Sequence, residues 1–380
     1  MTLAVLRLRL AQFRSYALAE IDTGGCSVAL FGPNGAGKTN LLEAVSLLVP
    51  GRGLRRAGAE QLPRESLAVG WRLTAEVASA SGVLEIVTGV AGEGRRMVEI
   101  DGKATGQTAL GERLRQVWLT PAMDRLWSDA AAERRRFLDR MTLGFAPDHG
   151  TVSAQYERAM RERNRLLKDG IRDGAWLDSL EAQMARLGGR IARARAAALA
   201  RICAAQAAAI TGFPAADLRI DGQMEAAFGA VLAAKGCLDT AEAGEAAALA
   251  QALGTGRLRD QAAGRALAGP HRSDLEATYA AKEMPARLCS TGEQKALLIS
   301  ICLANARALA ADTGSPPILL LDEIAAHLDA ERRQALYGEI VGLGAQAWMT
   351  GTGPELFDGL EGARRLAVSE GPDGTQLTPV

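Results

Sequence analysis

Eight consecutive residues, Gly32-Pro33-Asn34-Gly35-Ala36-Gly37-Lys38-Thr39, fit the pattern G-x-x-x-x-G-K-[ST]. In that spacing the glycines let successive backbone N–H groups point at phosphate oxygens that side chains would obstruct. Lys38 would reach the β- and γ-phosphates, and the Thr39 hydroxyl would ligate Mg²⁺. The chemistry is nucleoside triphosphate binding. It requires a strand before the loop and a helix after it, whose N-terminal dipole adds to the anion site. Val28-Ala29-Leu30-Phe31 supplies the first and Leu41-Leu42-Glu43-Ala44-Val45 the second.

A second element lies far along the chain. Ile318-Leu319-Leu320-Leu321 is an unbroken apolar run ending in Asp322-Glu323, as a strand buried on both faces of a parallel sheet reads. Asp322 at its carboxyl end is placed to hold the Mg²⁺ shell, and Glu323 to orient or deprotonate the attacking water. Between the two sites, Cys289-Ser290-Thr291-Gly292-Glu293-Gln294-Lys295 opens a long helical run. Ser290 and the exposed N–H groups around Gly292 make a further anion site. Phosphate loop, serine-glycine turn and acidic strand, in that order, is the arrangement of ABC-type ATPases. There the turn completes the site of a second subunit, so that two ATP molecules are held in a head-to-tail dimer. Ala326-His327-Leu328-Asp329 resembles the loop that crosses such an interface, with Asp329 beside the nucleotide.

The elements needed to carry these residues are legible. Residues 1–120 read as strand-rich, with alternation in Val5–Leu10 and strand-like runs at Trp71–Val77 and Val83–Val90. From about residue 130 the chain turns Ala/Arg/Glu-rich, as helices prefer. One helix is expected over Val152–Lys168, and a seam at Leu177, Leu180, Met184, Leu187, Ile191, Ala194 and Ala198 predicts another. The two read either as a short antiparallel arm or as a packed helical subdomain. The expected fold is α/β: an ATPase head from both chain ends (residues 1–128 and 256–380) with an inserted helical lobe (129–255).

Composition narrows the class. Lys+Arg and Asp+Glu are equal at 44 each, so overall charge gives no sign of a nucleic-acid partner. Residues 131–201 nevertheless carry 15 Arg/Lys against 9 Asp/Glu, a local excess of six, which a solvated face or a phosphate-backbone contact would explain. Five scattered cysteines and three histidines form neither a disulfide framework nor a metal cluster by spacing. No signal peptide or long uncharged apolar run is evident, and the expected location is the cytoplasm.

Four stretches together resemble the RecF family, bacterial DNA-repair ATPases related to the SMC and Rad50 heads. They are Phe13-Arg14-Ser15-Tyr16, Gly32–Asn40 with Asn34 and Asn40, Arg134–Asp139, and Gly269-Pro270-His271-Arg272-Ser273-Asp274-Leu275. The resemblance implies ATP and Mg²⁺ as cofactors and ATP-dependent homodimerisation. It implies binding to gapped DNA or single-strand/double-strand junctions, and cooperation with RecR in loading RecA. Departures are Glu293, where many family members carry glutamine, and Pro121-Ala122-Met123-Asp124, which leaves no glutamine for the metal-bound water. Trp348-Met349-Thr350-Gly351-Thr352 stands where transporter ATPases carry a switch histidine, and a threonine there can hydrogen-bond a phosphate but cannot shuttle a proton at neutral pH. Turnover is therefore expected to be slow. A transporter's ATPase subunit and a non-hydrolysing nucleotide-dependent scaffold are the alternatives; the first lacks a reason for the G-P-H-R-S-D-L element, the second for an intact Asp322-Glu323 pair.

Overall fold

A computed structural model of the chain describes residues 2–64, 69–91, 94–171 and 173–380. The chain forms two compact units. One comprises Met1–Asp124, Ala209–Pro214 and Leu298–Val380; the other comprises Arg125–Ala208 and Ala215–Leu297.

The first unit begins with β1 (Ala4–Phe13), β2 (Tyr16–Asp22) and β3 (Val28–Phe31), then α1 (Lys38–Ser46). In β1, Leu8 and Leu10 are buried while Arg7 and Arg9 are exposed, the alternation of an antiparallel strand with one wet face. After β4 (Trp71–Ser79), β5 (Gly82–Val90), β6 (Met97–Ile100) and β7 (Lys103–Thr105) come α2 (Gln107–Arg113) and β8 (Gln116–Leu119). Among the described residues one sheet runs β2-β1-β4-β5-β6-β7, antiparallel throughout.

The second unit opens with α3 (Ala131–Phe145), α4 (His149–Lys168) and α5 (Gly174–Ala207). Next come β9 (Ala216–Asp221), α6 (Gln223–Ala233), α7 (Leu238–Thr255), α8 (Arg257–Ala263), β10 (Asp274–Tyr279) and β11 (Met284–Pro285). The seam residues of α5 are buried or half-buried, as their spacing requires. So are Ala185, Gly188, Ala192 and Leu199 on its other sides, because α6 and α7 cover what α4 leaves open. The helix pair is thus enclosed in a packed lobe.

Helix α9 (Thr291–Thr313) leads back to the first unit, followed by β12 (Ile318–Leu321), α10 (Ala330–Leu343), β13 (Ala347–Gly351), β14 (Arg364–Gly371) and β15 (Gly374–Pro379). α9 is long and apolar enough to cross a membrane, yet 72% of its most apolar window is buried in protein, as in a core helix. The second large sheet runs β15-β14-β3-β13-β12-β8, parallel except for the β14–β15 hairpin. Its strands β3, β12 and β13 are buried at every position.

One boundary differs from the sequence reading, which assigned 256–380 to the ATPase lobe. The structure groups residues through Leu297 with the helical unit. The cause is physical: β10 pairs with β9, and the loop before it is locked into that unit's polar interior. Fully buried Arg163 meets Glu181 at 2.8 Å and Asp260 at 2.7 Å, and donates to the Leu253 carbonyl. Arg195 meets Asp139 at 2.8 Å and Glu225 at 3.0 Å and donates to the Pro270 carbonyl. His149 and Arg195 hold the Asp139 carboxyl far below its usual range, against burial, which acts the other way.

This network explains the G-P-H-R-S-D-L element. His271 Nδ1 lies 2.8 Å from the Tyr156 hydroxyl and Nε2 3.0 Å from the Ala266 carbonyl, and burial lowers its pKa, favouring the neutral ring. Ser273 donates to Glu225, Asp274 takes both arms of Arg134, and Arg135 donates to the Ser273 carbonyl. Substituting one partner of such a pair leaves a buried charge uncompensated. Arg195→Met is therefore expected to destabilise this unit by about 3–5 kcal/mol, read as a lowered denaturant midpoint; an unchanged midpoint would show that the network is not structural.

Candidate functional site

The parallel sheet brings the nucleotide residues of the first unit together. β13 lies between β3 and β12, so the phosphate loop after β3 and the acidic pair after β12 flank the end of β13. The loop follows Phe31 and ends in the first turn of α1, with Ala36, Gly37 and Lys38 buried and Pro33, Asn34 and Gly35 exposed at its tip. Gly35 and Gly37 take φ of 86° and 103°, where a side chain is strained. A Cβ on Gly37 would also lie 2.5 Å from the Thr375 hydroxyl and 2.7 Å from that of Ser15.

Lys38 Nζ donates to the carbonyls of Gly32 and Pro33 at 2.7 and 2.8 Å, which draws it across the loop. Burial lowers its pKa, and the nearby carboxylates of Glu323 and Asp322 oppose this. Among the described residues it has no carboxylate within ion-pair distance, so the loop holds a buried cation without a counter-anion. That is the environment a phosphate completes.

The Thr39 hydroxyl donates to Asp322 Oδ1 at 2.9 Å. A hydroxyl and a carboxylate side by side are hard oxygen donors of the kind Mg²⁺ takes, so the residues fit that ion. Burial raises the Asp322 pKa, while hydrogen bonds from Thr350 and Thr39 act against the rise. Sequence reading offered a threonine of the stretch 348–352 to a phosphate; in the structure Thr350 serves Asp322 instead. Fully buried, Thr350 donates to Asp322 Oδ1 at 2.8 Å and accepts from the Glu323 backbone N–H at 2.8 Å. Glu323 itself has φ of 55°, a left-handed backbone rare for non-glycine residues. Strain of about 1–3 kcal/mol persists only where surroundings impose it, and the Thr350 bond is part of that imposition.

The loop is braced from outside. Tyr16 OH donates to the Gly37 carbonyl at 3.0 Å, Thr375 Oγ1 to the Ala36 carbonyl at 3.0 Å, and Asn40 Nδ2 to Ser15 Oγ at 2.8 Å. Arg14 grips the buried Glu43 of α1 with two bonds of 2.9 and 3.0 Å. Phe13–Tyr16 was a family resemblance in the sequence; here Arg14, Ser15 and Tyr16 are the loop's supports. Thr375 had no sequence signal, since nothing in the chain's last turn reveals that β15 returns to residue 36.

Other residues hold local roles. Asp329 caps α10, its carboxylate accepting from the Arg332 N–H at 2.8 Å. Arg55 donates to Asn40 Oδ1 at 2.7 Å and lies 3.8 Å from Glu43. Ser290 and Gly292 belong to the helical unit, at the start of α9. There the Glu293 carboxylate accepts from the Ser290 N–H at 2.8 Å and its hydroxyl at 2.9 Å, and pairs with Lys282. These bonds pull its pKa down to about 2. The Glu293 charge is therefore folded into the turn and matched by a lysine.

Comparison with known proteins follows the same lines. Residues 4–350 match the family model described as RecF/RecN/SMC N terminal domain. The DNA replication and repair protein RecF of Mesorhizobium japonicum is 50% identical over 97% of both chains. That of Caulobacter vibrioides is 46% identical over 98% of this chain and 97% of its own. Among solved structures, the recombination mediator protein RecF-ATP in the RecFOR pathway superposes with a TM-score of 0.79 at 21% identity, covering 100% of this chain and 99% of that one. An Smc head domain from Pyrococcus furiosus gives 0.54 at 16% identity, covering 100% and 96%. At such identities the structures speak to the fold, and the sequence relatives carry the family. The chain belongs to the RecF family of DNA replication and repair ATPases.

Proposed function

We propose that this chain is a slow, ATP-operated clamp on DNA: ATP binding joins two copies at a gap or a single-strand/double-strand junction, and hydrolysis releases them. The observation that carries the reading is the buried Lys38 ammonium, with no carboxylate within ion-pair distance among the described residues, beside the Thr39–Asp322 pair. Lys38 binds the β- and γ-phosphates, together with the N–H groups of Gly32, Asn34, Gly35, Ala36 and Gly37, while Pro33, which has no N–H, shapes the turn between them. Thr39 and Asp322 would hold Mg²⁺, which would supply charge neutralisation at the transferring phosphoryl group. Asn40 steadies the start of α1 through Ser15. Glu323 orients the attacking water and takes its proton.

Ser290, Gly292 and Asp329 serve the nucleotide of the second copy, as the resemblance to ABC-type ATPases implies. The RecF-ATP likeness supports ATP as the nucleotide, and the RecFOR pathway of that relative supports RecR, and through it RecA, as partners. The cytoplasm is the location such a DNA-bound role calls for. Slow turnover follows from Thr350, a hydroxyl that positions but does not transfer protons at neutral pH, and from the lack of an assigned glutamine on the metal-bound water.

Lys38→Ala is expected to abolish ATP binding in calorimetric titration, and Glu323→Gln to accumulate an ATP-bound dimer. Sedimentation velocity with ATP and gapped DNA reads the second directly. A Glu323→Gln protein that stays monomeric at saturating ATP overturns the sandwich. Thr350→Val should leave ATP affinity nearly intact and lower kcat by about 10–100-fold, the range for residues that hold a catalytic shell; Thr350→Ser should recover most of it. Equal rates for threonine and valine at 350 would remove the positioning role. DNA affinity should fall steeply with salt, and replacing exposed Arg52 by alanine should reduce the slope of log affinity against log salt by roughly one. A flat titration excludes phosphate contacts as the source of binding.

A further inference from the structure

In the small sheet of the helical unit, β9 pairs with β10 alone, in the order β11-β10-β9. Backbone groups of successive residues point to opposite sides of a strand, so one bond fixes the parity of all the others. The Ala280 N–H donates to the Ala215 carbonyl at 3.1 Å, which turns residue 215 toward β10. Ala216 then faces away, as its own bond shows: Gln206 Nε2, from α5, donates to the Ala216 carbonyl at 2.7 Å. By the same count Leu218 and Ile220 face outward. Among the described residues, neither their N–H nor their C=O groups find a partner on that side. An open strand edge of this kind is a template for another chain.

Two more observations say what chain. A groove of about 550 Å³ runs beside this edge, walled by Leu218 and Ile220 of β9, Leu199 and Cys203 of α5, and Ala226 of α6. Its lining has room for small apolar side chains on the face that Leu218 and Ile220 share. On the opposite face Asp217 and Asp221 are exposed, and neither has an ion-pair partner among the described residues. Arg219 between them is neutralised by Glu276. The edge therefore offers two carboxylates four residues apart on one face, without ion-pair partners among the described residues, and apolar space on the other.

We propose that the β9 edge takes an extended peptide of another protein as an added strand, basic opposite Asp217 and Asp221 and apolar opposite Leu218 and Ile220. A second copy of this chain does not suit the edge. Antiparallel self-pairing about Arg219 sets Asp217 of one copy against Asp221 of the other and arginine against arginine. The proposal is independent of the nucleotide reading above.

The probe is a fluorescein-labelled acetyl-Arg-Val-Thr-Val-Arg-amide, which presents the same side chains in either direction, titrated against the full chain and followed by anisotropy. Saturable binding is expected, at least tenfold weaker with Leu218→Pro. Proline there removes an N–H that β10 does not use and suits an edge strand. Reversing Asp217 and Asp221 together to arginine should switch preference to the peptide with glutamates in place of its arginines. A peptide N-methylated at both valines, tested on the unaltered protein, should also lose at least tenfold, which keeps the test sharp should Leu218→Pro fold poorly. No saturable binding, or binding indifferent to N-methylation, overturns strand addition; binding indifferent to the charge reversal overturns the basic partner.

Discussion

The nucleotide site depends on one oxygen atom. Asp322 Oδ1 accepts from Thr39, on the helix after the phosphate loop, and from Thr350, on the strand between the two motifs. The strand order β3-β13-β12 makes this possible, because it puts the end of β13 between the loop and the acidic pair. A carboxylate taken this far from water would shed its charge if nothing donated to it. Two hydroxyls keep it an acceptor, and so keep it fit to share a divalent ion. The same Thr350 oxygen then holds the Glu323 backbone in a conformation that residue would not adopt alone. One threonine thus couples the metal carboxylate to the proposed base.

Around this point the fold supplies rigidity from elements distant in sequence. The first hairpin and the last strand reach the phosphate loop from opposite ends of the chain, through Tyr16 on Gly37 and Thr375 on Ala36. Thr375 takes up the Ala36 carbonyl, and Tyr16 gives the Gly37 carbonyl a second donor beside the Leu41 N–H of α1. A phosphate cradle works by having its N–H groups already aimed. Bonds to the opposite pole of the same peptides fix that aim and leave the N–H side clear.

Much of this was legible in the sequence, and the illegible part has a physical reason. The phosphate loop, the buried run Ile318–Leu321 and the alternation in β1 are local patterns, and local patterns survive folding. Sheet order is not local. Nothing local says that β13 lies between β3 and β12, and only that insertion reveals what Thr350 does. The G-P-H-R-S-D-L element carried family resemblance through its pattern of residues, which assigns no role. Its His271, Ser273 and Asp274 close the buried network of the helical unit, a role that needs Tyr156, Glu225 and Arg134 and so cannot be seen in the motif itself. The same network draws residues 256–297 away from the ATPase lobe to which their position in the chain had assigned them.

The basic segment 131–201 shows why counting charge along a chain misleads. Its excess of cations is real, yet several of its arginines meet acids that lie later in the same unit. Arg134 meets Asp274, Arg163 meets Asp260, Arg195 meets Glu225, and Arg193 meets both Asp239 and Glu242. Those acids fall outside residues 131–201, so a count over that segment reports a surplus that folding offsets. Two of the arginines are buried besides, where no DNA phosphate could reach them. An electrostatic attraction to nucleic acid on this unit must then come from cations that the scaffold has not already consumed. They are fewer than the sequence promises, and their positions are set by which acids the fold brings back.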